Sequence, residues 1–240
     1  MPNIVAKTTC SKSYLIMEII MKLITKTALA GSIIAGALTA FPAQSAIITS
    51  YSNTTYGVFD GDTGSRSVTV TAGDVAPGAG TLLDVNITVE FSKCGGGNIG
   101  PSGSLVCPDD SFSFNNEIVF QLRSPGGAII YLVEEDTFSG QEPGAGRLSI
   151  TFDDEATGPA GGSAIVAGSF NPVQALSAFD GENAIGEWIL TLEDTVPEDA
   201  LEFFSFMLTL TTDVPEPITL SLFGAGLAGM AMLRRRRSLL

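Results

Sequence analysis

The stretch Val85-Asn86-Ile87-Thr88-Val89-Glu90-Phe91 alternates apolar and polar residues at every step. A period of two sets one row of side chains on a core and the other in water, which is the pattern of a half-buried β-strand. The alternation recurs in Arg66 to Thr71 and Glu187 to Leu192, and less cleanly in Phe204 to Leu210. Ile118 to Leu122 and Ala128 to Val133 are short apolar runs separated by Ser124-Pro125-Gly126-Gly127. That separator reads as a hairpin turn, because proline fixes φ and glycine permits values other residues avoid. Further turn clusters stand at Asp60-Gly61, Pro77-Gly78, Gly140 to Gly146, Gly158 to Gly162 and Asp180-Gly181, and nothing between them has sustained helical periodicity. The expected fold is all-β, a jelly-roll-like β-sandwich of about eight strands.

The two ends of the chain have a different character. Lys22 and Lys26 precede an apolar stretch from Ala28 to Phe41 and a small-residue exit, Pro42-Ala43-Gln44-Ser45-Ala46. This is the order of a secretory signal peptide, with cleavage expected near Ser45 or Ala46. A start at Met17 or Met21 rather than Met1 brings its length into the usual range of about 15–30 residues. At the other end Val214-Pro215-Glu216-Pro217 leads into an uncharged apolar run, residues 218–233, and then Arg234, Arg235, Arg236 and Arg237. The prolines stop the preceding structure, the run partitions into a bilayer, and the arginines hold its far end in the cytoplasm. The run is shorter than the roughly 20 residues of a comfortable membrane span, which suits a transient anchor. The chain therefore divides into a signal peptide over residues 1–46, a sandwich over 47–212, and a C-terminal segment with a transmembrane helix over 213–240.

The C-terminal order of motif, short span and arginine cluster resembles the PEP-CTERM sorting signal of exported bacterial proteins. The resemblance implies processing by an exosortase-like membrane enzyme. It also implies a destination in the cell envelope, on the cell surface or in the extracellular matrix, reached through transient anchoring in the inner membrane by residues 218–233. An ordinary tail anchor is the rival reading.

Charge narrows the partners. Between the two labels stand four basic residues, Arg66, Lys93, Arg123 and Arg147, against 23 acidic ones. Such a surface repels nucleic acid and favours solubility and association with cations. Cys94 and Cys107 enclose a glycine-rich loop, and in an exported protein such a pair is expected to form a disulfide. A zinc site is the weaker alternative, since the spacing is wrong and the chain contains no histidine.

A second resemblance lies in the strands. Phe120-Gln121-Leu122-Arg123-Ser124-Pro125-Gly126-Gly127 is similar to the L-x-S-P-x-G hairpin of the P domain, the β-sandwich that follows the catalytic domain of subtilisin-like proprotein convertases. Phe152-Asp153-Asp154-Glu155-Ala156 fits the F-x-D-x-A element of that family. Gly168, Pro172, Leu176, Ser177, Phe179, Gly181, Gly186, Trp188, Leu190 and Asp194 then follow its later spacing. The sequence departs from the family at Asn116-Glu117, where Gly-Asp is usual, at Ala128 for threonine, and at Asp199-Ala200-Leu201, which lacks the usual glycine. The loop from Cys94 to Cys107 reads as an insertion.

Individual residues carry paired readings. Trp188 is either a core anchor whose indole N–H meets a backbone acceptor or a platform for a sugar ring. Asp153, Asp154, Asp180 and Asp194 are either calcium ligands or members of a solvated acidic surface. Without histidine there is no Ser-His-Asp or Cys-His relay, and no catalytic residues or cofactor beyond calcium are assigned. The expected function is that of a non-catalytic envelope or matrix protein that uses its sandwich for adhesion, binding or structure, with extracellular polysaccharide as a candidate partner. The alternative is an accessory module that docks on a separate protease or hydrolase and stabilises it.

Overall fold

The alternating stretch at Val85 forms the middle of a long strand in the computed structural model, which describes residues 45–75, 79–108 and 112–214 and the isolated positions 224 and 226. The strand is β4 (Leu82–Lys93), and its neighbours in one sheet are β12 (Leu201–Val214) and β9 (Ala145–Phe152). β1 (Ser45–Asn53) extends that sheet beyond β12, β10 (Gly168–Phe170) extends it beyond β9, and β2 (Gly57–Phe59) pairs with the start of β12. The second sheet has the order β3 (Thr63–Val70), β11 (Gly186–Asp194), β6 (Ile118–Arg123), β7 (Ile129–Val133). β5 (Phe112–Phe114) and β8 (Gln141–Pro143) pair with each other as a small third sheet. Four of the twelve described strands, β2, β5, β8 and β10, are three residues long. The two main sheets hold ten of these strands, more than the roughly eight expected from the sequence, because β2 and β10 are too short to carry an alternating pattern.

The core lies between the sheets and follows the period-two prediction. Val85, Ile87, Val89 and Phe91 of β4 face Trp188, Leu190 and Leu192 of β11, together with Phe120, Leu122, Ile150, Phe152, Phe206 and Leu208. Burying side chains of this size contributes about 1.5–3 kcal/mol each. Phe91 meets Phe120 edge to face at 5.0 Å. The imperfect alternation near Phe204 has a local cause: pairing with β4 shifts register between Phe203 and Ser205, and Phe203 and Phe204 are both buried across this bulge.

The sandwich is slightly longer than residues 47–212. Ser45 pairs with Val214 and Ala46 with Asp213, so β1 and β12 run two residues further at each end. The Asp213 carboxylate accepts hydrogen bonds from the N–H groups of Gly80 (3.2 Å) and Thr81 (2.9 Å). The signal peptide up to Gln44, the motif from Pro215, the apolar run apart from positions 224 and 226, and the four arginines lie outside the described residues, as does Pro77-Gly78. No helix among the described residues is long and apolar enough to cross a membrane.

Candidate functional site

Inward register does not stop at the last hydrophobic residue of either central strand. On β4 the row Val89, Phe91 continues to Lys93, and on β11 the row Leu190, Leu192 continues to Asp194. Both charged residues are fully buried, one from each sheet, and meet with Lys93 Nζ 2.8 Å from Asp194 Oδ2. Two more carboxylates converge on the same nitrogen, Asp199 Oδ2 at 3.2 Å and Glu117 Oε2 at 3.4 Å, and the main-chain carbonyl of Asp199 accepts from it as well.

The surrounding backbone holds these carboxylates in place. Asp194 Oδ2 accepts the Leu201 N–H at 3.0 Å. Asp199 Oδ2 accepts the Phe114 N–H at 2.5 Å and the Ser113 hydroxyl at 3.0 Å, whereas its Oδ1 finds no partner. Glu117 ends the single 3-10 turn between β5 and β6. Burial pushes the Glu117 carboxyl up to about 7, with Asp199 and Asp194 adding to the rise and Lys93 opposing it. Burial likewise raises Asp194, against the pull of Lys93. A buried charge is tolerated when paired and hydrogen-bonded, but here three carboxylates share one amine.

Next to Lys93, Cys94 and Cys107 form a disulfide with Cα atoms 5.5 Å apart. The enclosed loop is not the loose insertion its glycines suggest. Glu202, fully buried at the start of β12, accepts the N–H groups of Ile99 (2.6 Å) and Gly100 (2.8 Å), the Ser92 hydroxyl (3.1 Å) and the Tyr56 hydroxyl (2.5 Å). Burial and this bond to Glu202 raise the Tyr56 phenol well above its ordinary value. The far side of the loop rests on β9, where the Arg147 N–H donates to the Ser104 carbonyl at 3.1 Å.

The four proposed calcium ligands do not come together. Asp153, Asp154 and Asp180 gather with Asp84 near the start of β4, whereas Asp194 sits at the Lys93 end of the sandwich. Asp154 already accepts the N–H groups of Leu176 (2.9 Å) and Ser177 (2.8 Å), and Asp153 accepts that of Glu155 (2.8 Å). Crowding shows in the titration of the neighbours: burial, then Asp84 and Asp154, raises Asp180, and burial with Asp153 and Asp154 raises Asp84. Among the described residues no three acidic side chains are arranged to hold a metal ion.

Trp188 is a core residue. It has no exposed surface, donates its indole N–H to the Ala184 carbonyl at 3.0 Å, and meets Phe179 edge to face at 5.3 Å. No sugar ring can stack on it in this fold. An open groove lies elsewhere, across β6, β7, β11 and the residues that follow β7 and β11; its lining includes Val119, Gln121, Tyr131, Thr195 and three glutamates, Glu134, Glu135 and Glu193.

Sequence reasoning passed over Lys93, Glu117 as its partner, and Glu202. The signal for Lys93 was present, since it continues the inward row of Val85 to Phe91; Glu117 and Glu202 sit in a turn and beside a bulge, where no period points inward.

Comparison with known families places both resemblances. Residues 111–210 match the proprotein convertase P-domain family, and residues 213–237 match the PEP-CTERM protein-sorting motif. The chain is thus an exported, envelope-sorted protein carrying a P-domain-like sandwich. No curated protein matches it. Among solved structures it is similar to the complex of the Aeromonas sobria serine protease with its chaperone, at 11% identity and a TM-score of 0.41 over 76% of this chain. The chain spans 29% of that one. It is also similar to FlhE, at 12% identity and a TM-score of 0.33, over 68% of this chain and 96% of that one.

Proposed function

We propose that this is a non-catalytic protein of the bacterial cell envelope or extracellular matrix, delivered by its C-terminal signal and using the sandwich as an adhesive, binding or structural body. The observation that carries this reading is the direct passage from fold to signal. Among the described residues β12 is the last and longest strand; it ends at Val214, and the sorting motif occupies residues 213–237. A domain suspended from its sorting segment through a strand in the interior of a sheet is suited to being held in place.

In this reading the signal peptide is removed near Ala46, the run 218–233 anchors the precursor transiently in the inner membrane, and an exosortase-like enzyme removes the arginine tail. The groove under Tyr131, with Gln121 and Thr195 as hydrogen-bonding groups, is the surface offered to a polysaccharide. The test is to express the full chain in a host with the sorting enzyme, fractionate it, and measure the intact mass of the exported form. The expected product begins near Ala46, lacks Arg234 to Arg237, and is retained by extracellular polymer, with Tyr131→Ala reducing retention. A stable membrane form that keeps the arginine tail would overturn the sorting part of the reading. Release of the wild type from the polymer would overturn the adhesive part.

The P-domain match favours a second reading, an accessory module bound to a separate protease or hydrolase. Stoichiometric recovery of such an enzyme with the mature protein, without retention on polymer, would support it instead.

A further inference from the structure

We propose that Lys93 and Asp199 are joined by an intramolecular amide bond, a covalent clasp between the end of β4 and the approach to β12. The argument rests on the arrangement of one amine and three carboxylates in a site closed to water. Lys93, Asp194 and Ser113 are fully buried, and Asp199 and Glu117 are nearly so.

The groups gathered around the amine divide the steps of the condensation between them. Asp194 Oδ2, at 2.8 Å, is the nearest carboxylate oxygen to the amine and receives its first proton. The freed amine then attacks Cγ of Asp199, whose Oδ2 already lies 3.2 Å from Nζ. Negative charge developing on that oxygen is held by the Phe114 N–H and the Ser113 hydroxyl, two donors aimed at one atom as in an oxyanion hole. The other oxygen, Oδ1, makes no hydrogen bond and is free to leave. Glu117, 3.4 Å from the same amine, carries a carboxyl that keeps its proton to unusually high pH and supplies it to the departing oxygen.

The balance closes without any other reactant. An ammonium and a carboxylate become an amide and one water, a C–N bond forms, and the Cγ–Oδ1 bond breaks. Two of the three ammonium protons end on the water, one passed through Asp194 and the other through Glu117, and both carboxylates finish in the state in which they began. Condensation is unfavourable between free groups in water, but two groups fixed in contact react with effective concentrations of about 10⁵–10⁸ M. The same burial keeps water from reversing the step.

The test is made on the mature, exported wild-type protein with its disulfide reduced and alkylated. The expected result is an intact mass lower by one water than the sequence requires, and a tryptic map in which the chain is not cut after Lys93 and the segments holding Lys93 and Asp199 appear as one branched peptide. Lys93→Met should restore the lost water. Glu117→Gln should leave a measurable fraction unlinked, and a mixture of linked and unlinked wild type would report incomplete reaction of the same bond. Asp60-Gly61 and Asp180-Gly181 can also lose water as succinimides, so the branched peptide and not the mass alone decides. Full mass with ordinary cleavage after Lys93 would overturn the proposal and leave a buried ion cluster. A branch to Asp194 or Glu117 would overturn the assignment of Asp199 as acceptor.

Discussion

Replacing Trp188 by alanine tests whether the sandwich or a surface platform accounts for this residue. The side chain has no exposed area and sits on β11, between β3 and β6, at the centre of the second sheet. Truncating a buried tryptophan costs about 3–5 kcal/mol in lost transfer energy and cavity. Two features place this site toward the upper end. The edge-to-face pair with Phe179 at 5.3 Å is lost, an interaction worth about 0.5–1.5 kcal/mol beyond area. The Ala184 carbonyl also loses its donor at 3.0 Å, and leaving a buried acceptor unpaired costs about 1–3 kcal/mol. These contributions overlap, so a net loss of about 5 kcal/mol is expected, a large part of the roughly 5–15 kcal/mol by which domains are stable. Equilibrium urea unfolding of the variant and the wild type, both with the disulfide intact, reads it directly. A loss below about 1.5 kcal/mol, in the range of a tolerated core swap, would refute the reasoning.

Glu117 gives a pH dependence with a defined sign. Its folded value of about 7 lies above the ordinary 4.5, because burial, which holds whether Lys93 is free or amidated, favours the protonated form. Its contribution is complete below the unfolded value and is lost as pH rises from about 4.5 to about 7, by up to about 1.4 kcal/mol per unit. Melting curves across that window should fall with pH in the wild type and fall less steeply in Glu117→Gln, and equal slopes would refute the assignment. The Cys94→Ser, Cys107→Ser double variant should still fold. It should lose less than the roughly 3 kcal/mol of the chain-entropy model, since Glu202 also holds Ile99 and Gly100, and unfolding of the variant at room temperature would show that hold to be insufficient. Glu198 has φ +118, a region suited to glycine, and Glu198→Gly should raise stability by about 1 kcal/mol, measured by the urea midpoint; a decrease would mean the Glu198 side chain matters more than its backbone. Calcium should produce no saturable heat of binding in the micromolar range and little change in melting temperature. A calcium-dependent rise abolished by Asp154→Asn would show that the carboxylate leaves the Leu176 and Ser177 N–H groups to bind the ion.

Much of the fold was legible because two sheets facing one core impose a strict parity on their strands. Val85, Ile87, Val89 and Phe91 on one strand and Trp188, Leu190 and Leu192 on another declared their inward faces by type alone. β1 was not legible, because it is an edge strand with Ile48 69% exposed and little contrast between its faces. β9 was hidden by glycines that read as a turn, whereas a Cβ on Gly146 would lie 2.3 Å from the Leu105 carbonyl, so that the glycine marks the close approach of the disulfide loop to a strand. The charged site was half legible. Parity places Lys93 and Asp194 inside, but Ser113, Glu117 and Asp199 come from a ribbon, a turn and a loop, and only the closed fold sets them around the amine.

The two specialised ends of the sandwich bear on each other through β12. Its Val214 end leads into the sorting segment, and its Leu201 end pairs with Lys93, beside the disulfide and the buried cluster. At about 3.4 Å per residue, these points stand on the order of 40 Å apart along one strand. In the proposed reading, force on a retained domain enters at Val214 and runs along β12, which is hydrogen-bonded to both β1 and β4 and can leave the sheet only by breaking both ladders. Asp199 lies just before the far end of that strand, so an amide to Lys93 would close the path into β4 covalently where the ladder begins. The clasp and the anchor therefore belong to one mechanical element, and a Lys93→Met domain pulled through its C-terminus should unfold at lower force than the linked wild type. Equal unfolding forces would show that the ladders alone bear the load.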